Sequence, residues 1–223
     1  MRPRPHRGAG AAVPNLRRAR PMPHVVLLGD SVFDNAAYVR GGPAVADHLA
    51  ALLPAGWRVT LGAVDGAVID DVHRQLARLP ALAPDATHLV LSAGGNDALG
   101  HADLLDRPTR SSAETLDDLA AAADAFVERY RRLLAAFDAT GLPSVACTIY
   151  NGNLGPPAAR RAAAALAVFN DAVQRLAAEH RTPVIELRNV CTSPADYANP
   201  IEPSVIGGGK IARAIMSAIG GST

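Results

Sequence analysis

Apolar and polar residues alternate in blocks along the chain. Five short apolar runs, over 24–28, 57–61, 87–92, 143–149 and 183–187, have strand length and each stops at turn-forming or polar residues. Longer stretches between them carry apolar residues at helical spacing. Val45, Leu49, Leu52 and Leu53 predict a helix over 43–53, which Pro54 and Gly56 break. A second helix runs from about residue 70, where Asp70 and Asp71 suit its dipole, to about Leu79, with Pro80 and Pro84 closing it. Leu116, Leu119, Ala123, Phe126, Tyr130, Leu133 and Phe137 form the core stripe of a long helix over 112–140. Ser111 and Glu114 have capping-box spacing at its start, and Gly141 ends it. Further helices are expected over 157–180 and 204–219. Strands alternating with helices through short connections call for one α/β domain over 22–223. Its core is a doubly wound five-stranded parallel sheet with helices on both faces.

In such a sheet the carboxyl ends of neighbouring strands share one edge, where ligands bind. Three turns reach that edge: Gly29-Asp30-Ser31, Asp65-Gly66 and Gly94-Gly95-Asn96-Asp97. A hydroxyl beside a backbone N–H and a side-chain amide is an apparatus for holding an oxyanion, although a serine there is also an ordinary turn former or helix cap. Asp30 is placed to steady the serine loop, and Asp97 to bond the backbone of its own turn. Asp34 and Asn35 either buttress the serine or cap a local turn. Tyr150 and Asn151, after the fourth strand, either line a substrate cleft or form a polar loop. Asp30, Asp34, Tyr150 and Asn151 are therefore the candidate substrate-binding residues beside Ser31.

The three blocks, in this order and each after a strand, resemble those of the SGNH (GDSL-type) hydrolases, a likeness that runs from about His24 to the C-terminus. The resemblance implies a flavodoxin-like fold and esterase activity with no metal or organic cofactor. It also implies Ser31 as nucleophile, with its own N–H, the Gly66 N–H and the Asn96 side chain as oxyanion donors. A fourth block departs from the family. In Asn199-Pro200-Ile201-Glu202-Pro203-Ser204, asparagine stands where an aspartate is expected and Glu202 where the general-base histidine is expected. The two changes make sense together, because a carboxylate base needs no second anion to orient it. Glu202 is either that base, its pKa raised by burial, or a cap or ion-pair partner of the last helix. Two functions follow: a hydrolase of small acyl or acetyl esters that loses activity at low pH, or a degenerate member that binds an ester, acyl or sugar ligand without turnover. An acyl transferase using the same serine is a third. His101, past Asn96, is a second candidate to reach the serine, against a plain surface-loop role.

Charge and composition narrow the partners. Six arginines and no acid fall in residues 1–21, leaving 16 basic against 21 acidic residues, a net of −5, on the rest. An acidic body is a poor nucleic-acid surface, so the expected partner is a small-molecule ester. No apolar run is long enough to span a bilayer. The Arg-, Pro- and Gly-rich tail 1–21 lacks an apolar signal core and is expected to be disordered. With Met22 opening directly onto the first strand, the tail is expected upstream of the true start, and the protein in the cytoplasm. Cys147 and Cys191 suggest neither a disulfide framework nor a metal site. Gly207-Gly208-Gly209-Lys210 fails as a phosphate loop, since Ser204 stands at the first glycine position and Ile211 at the required Ser or Thr. Lys210 reads as a solvated helix residue.

Overall fold

A computed structural model describes residues 22–220; the basic tail expected over 1–21 lies outside the described residues. Five parallel strands, β1 (His24–Gly29), β2 (Arg58–Leu61), β3 (His88–Ser92), β4 (Ser144–Cys147) and β5 (Val184–Ile185), form one sheet in the order β2-β1-β3-β4-β5. The chain winds outward from β1 to β2, then returns to place β3 on the other side of β1. The connections therefore diverge between β1 and β3 and open a crevice at their carboxyl ends. Register sets Gly29 opposite Ser92 there, so the turn after β1 and the turn after β3 leave the sheet side by side.

Strand alternation builds a core on each face. Val26, Leu28, Leu89, Leu91 and Ala146 point one way. They pack against α2 (Ile69–Ala77), α5 (Ser112–Ala139) and α6 (Ala158–Glu179) through Val72, Phe126, Leu133, Phe169 and Leu176. Val25, Leu27, Val90 and Val145 point the other way, against Val45 and Leu49 of α1 (Val45–Leu52) and Ile211, Ile215 and Ile219 of α8 (Val205–Gly220). No helix among the described residues is long and apolar enough to cross a membrane.

Several expectations are corrected. Pro80 does not close a helix but lies in the first turn of a short one, α3 (Leu79–Leu82), where its missing N–H costs nothing. The turn after β3 runs directly into α4 (Gly95–Leu99), and Leu187–Val190, read partly as loop, is α7. The β4 ladder ends at Cys147 rather than Ile149. The side-chain amide of Asn170 takes over both polar groups of Ile149, accepting from its N–H at 2.7 Å and donating to its carbonyl at 2.8 Å. Leu116 is not core: it is 63% exposed in the first turns of α5. Lys210 is one-third exposed but does not stand free in solvent: its ammonium pairs with the fully buried Asp196 at 2.7 Å. Both cysteines are free and buried.

Candidate active site

Ser31 sits in a turn closed by Phe33 and Asp34 N–H groups, each donating to the Asp30 carbonyl at 3.1 Å. Two devices fix where that turn begins. A Cβ on Gly29 would lie 2.0 Å from the Ser92 carbonyl oxygen, so only glycine lets β1 and β3 approach this closely at their ends. The Gln75 side-chain amide then clamps the Gly29 peptide, accepting from its N–H and donating to its carbonyl, both at 2.8 Å. The strand-edge groups that would otherwise be orphaned are thus satisfied from α2.

Asp30 is buried beneath the serine. Its Oδ1 accepts from the Val32 N–H at 3.2 Å and the Ser92 hydroxyl at 2.9 Å. Burial pushes its carboxyl up to about 7, against the pull of those two bonds and with Glu202 adding to the rise. This has a consequence for stability. In the unfolded chain the carboxyl ionises near 3.8. Below that value both states hold the proton and nothing is lost. As pH rises toward 7 the folded state must give up a proton that the unfolded state has already lost. A penalty of about 4 kcal/mol is then fully present above pH 7. Asp30→Asn keeps the acceptor for Ser92 and Val32 but removes the charge. It is expected to raise the melting temperature more at pH 8 than at pH 5; an equal change at both would contradict the buried-charge reading.

Asn96 and Asp97 lie in the first turn of α4. Asn96 Nδ2 donates to the Ala67 carbonyl at 3.0 Å, tying the crevice to the turn that holds Gly66 and leaving its second N–H without a partner among the described residues. Gly66 has φ +78°, is exposed, and is not among the residues lining the cavity that Ser31 borders. The backbone N–H groups of Ser31 and Gly66 donate to no partner among the described residues. Asp97 bonds the backbone of its own turn, as expected, and also reaches beyond it. Its Oδ2 accepts from the Ile69 N–H at 3.0 Å and its Oδ1 pairs with Arg129 at 3.0 Å, so it locks α4 to α2 and α5. Asp34 likewise reaches away from Ser31, its Oδ2 accepting from the Asp65 N–H at 2.9 Å, and it lies outside the cavity lining. Asn35 accepts from the Val45 N–H and donates to the Pro203 carbonyl. Both residues are long-range struts rather than local caps.

Glu202 arrives from the loop before α8 and is 5% exposed. Its carboxyl is raised chiefly by burial, with a hydrogen bond from the Ser31 hydroxyl pulling it down and Asp65 pushing it up. Its Oε2 is shielded from solvent and makes no further hydrogen bond. Asn199 does not orient this carboxyl. Its Oδ1 accepts from the Ile201 and Glu202 N–H groups, both at 2.9 Å, and so shapes the loop backbone. Tyr150 donates to the Ile201 carbonyl at 2.6 Å, which holds the same loop from the β4 side.

Ser31, Asn96 and Glu202 border one cavity of about 160 Å³, with Asp30, Tyr150 and Asn151 also in its wall. Away from these polar groups the wall is apolar, built from Leu105, Leu119, Leu154, Leu166 and Phe169. His101 is part of the wall, stacked on Phe169 with ring centroids 6.5 Å apart. Gln75 was not among the sequence candidates. The available signal was a polar residue on the buried Ile69-Val72-Leu76 face of an amphipathic helix.

The model of the GDSL-like lipase/acylhydrolase family matches residues 27–204. No curated protein matches the chain. Among solved structures, an extracellular lipase from Streptomyces rimosus superposes with a TM-score of 0.65 at 20% identity, over 88% of this chain and 99% of that one. Phospholipase A1 from Streptomyces albidoflavus NA297 gives 0.67 at 19% identity, over 88% and 99%. The lipase Lip_vut3 from a goat rumen metagenome gives 0.69 at 17% identity, over 88% and 97%. At these identities the likeness establishes a shared fold.

Proposed function

The chain belongs to the GDSL-like lipase/acylhydrolase family, and from that premise we propose that it hydrolyses carboxylic esters through an acyl-enzyme on Ser31, with Glu202 as general base. The observation that carries this reading is a nearly buried Glu202 sharing one cavity with Ser31, whose hydroxyl lies near enough to draw the glutamate's pKa down. Glu202 takes the hydroxyl proton as Ser31 Oγ bonds to the acyl carbon. The resulting oxyanion is held by the Ser31 N–H and the remaining N–H of the Asn96 amide; Gly66 lies outside the wall of this cavity. Collapse of the tetrahedral species breaks the bond to the alcohol, which leaves with the proton from Glu202. Water then attacks the acyl carbon, again giving its proton to Glu202, and Ser31 recovers that proton when the acid departs. An ordinary glutamate is too weak a base for this at neutral pH. Burial counters the weakness by raising its pKa toward the working range.

The cavity wall also favours one kind of acyl group. An apolar cavity of about 150 Å³ lined by Leu, Ile and Phe takes up benzene, so this one suits an acyl chain of about six carbons rather than acetyl. Each buried methylene is worth about 0.8 kcal/mol. A hexanoyl p-nitrophenyl ester should therefore exceed the acetyl ester in kcat/KM by about 100-fold. Leu166→Trp, which fills the cavity, should erase that advantage. Equal kcat/KM for the two esters would refute the acyl assignment while leaving the nucleophile in place.

A further inference from the structure

Glu202 stands on a stretch, residues 191–204, whose regular structure among the described residues is one short 3-10 turn, Pro194–Asp196, and a single antiparallel bridge from Tyr197 to Pro203. A base on such a loop needs an anchor if its carboxyl is to stay against a hydroxyl. The anchor is Asp196. It is fully buried, and its Oδ2 accepts from the Thr192 N–H at 3.0 Å, the Ser193 N–H at 2.9 Å and Lys210 Nζ at 2.8 Å. Its carbonyl accepts from the Ser204 N–H at 2.9 Å. The same carbonyl oxygen lies 2.0 Å from where a Cβ on Gly207 would be, so the loop is pressed directly onto the first turn of α8. From this anchor the chain closes back on itself, with the Ala198 N–H donating to the Glu202 carbonyl at 2.8 Å. Burial pushes the Asp196 carboxyl up, but Lys210 and the Ser193 and Thr192 amides outweigh it and hold the group below the usual carboxylate value. The cation that makes a buried anion tolerable here is the one lysine in the sequence.

We propose that the Lys210–Asp196 ion pair is a positioning device for the general base, pinning the loop so that the Glu202 carboxyl stays on the Ser31 hydroxyl. The inference rests on the reading of Glu202 as base. Without the cation, Asp196 is a buried anion lacking a counter-charge, and the loop relaxes to hydrate it. A displacement of about 1 Å at a catalytic group costs up to about 100-fold in rate. The wall residues Leu166 and Phe169 lie on α6 and are untouched, so the loss falls on kcat.

Lys210→Met is expected to lower kcat for the hexanoyl ester by about 10- to 100-fold. KM should stay within about twofold, and the acid limb of the pH–rate profile should shift. Lys210→Arg should restore most of the rate. Should Lys210→Met not fold, the folded wild-type protein offers a second measurement, because amine reagents meet one lysine besides the N-terminus. Acetylation, which removes the charge, should lower turnover, whereas guanidination, which keeps it, should not. Wild-type kcat and pH profile in the methionine variant, or equal turnover after the two modifications, would overturn the proposal. Glu202→Gln separates the two claims. If it is inactive while the Lys210 variants behave as wild type, the positioning role alone fails; if it is fully active, the base assignment fails and takes the positioning role with it.

Discussion

Ser31→Ala is expected to lower ester turnover by about 10⁴-fold or more while leaving the protein folded and its cavity able to bind. The size follows from losing covalent catalysis altogether, since removing a serine nucleophile costs about 10⁶-fold in kcat in the best-studied case and leaves only binding and oxyanion donors. Little else should change. Ser31 is 8% exposed, and its hydroxyl contributes no bond that the turn needs. That turn is held by the Asp30 carbonyl and by the Gln75 clamp on Gly29. Hexanoate, the expected product, should therefore still bind the variant with near wild-type affinity by calorimetry. Full turnover in the variant would remove Ser31 from the mechanism. A wild-type protein that binds hexanoate but hydrolyses no ester would instead identify a binding protein built on this fold.

Glu202→Gln is the second large effect. The amide is nearly isosteric and still reaches Ser31, but it cannot accept a proton, so the expected loss is about 10²- to 10⁴-fold in kcat. The pH dependence carries more information than the size. A base works deprotonated, so kcat/KM in the wild type rises as pH climbs through the Glu202 pKa and falls below it. Burial raises that pKa from 4.5, the Ser31 bond draws it back, and Asp65 adds to the rise. The acid limb should accordingly lie above the ordinary glutamate value. The Glu202 charge adds in turn to the rise of Asp30, which burial carries to about 7 in the same cavity. Glu202→Gln should flatten the limb; a limb unchanged by that substitution would assign it to another group. Glu202→His is not expected to restore full activity. Asn199 Oδ1 is committed to two backbone N–H groups, so it is not free to orient an imidazole.

The five strands and the shared edge were legible because each apolar run stops at residues that can only turn, and because parallel topology then leaves one place for the turns to meet. The features that escaped are those decided by side chains far along the chain. Nothing local in Pro143–Ile149 shows that Asn170 will end the β4 ladder two residues early. Lys210 reads as solvated until the fold brings it onto Asp196. Asp34 and Asp97 looked local for the same reason, yet each bonds a backbone N–H about 30 residues away. Leu116 fits the stripe of α5 perfectly well. Periodicity identifies which face of a helix is apolar, but not how far along it a partner covers that face. The Asn199 and Glu202 replacements were visible in the sequence, and their consequence was not. Only the folded loop brings the glutamate to the wall of the serine's cavity and turns the asparagine onto the backbone.

The most direct test is the rate at which a serine-directed fluorophosphonate labels the wild-type protein, followed by intact mass and peptide mapping from pH 4 to pH 9. One adduct per chain is expected, on Ser31, forming at a rate that climbs with pH through the raised Glu202 pKa and becomes slow and pH-independent in Glu202→Gln. An adduct elsewhere, no adduct at all, or a labelling rate indifferent to both pH and Glu202 would contradict this mechanism.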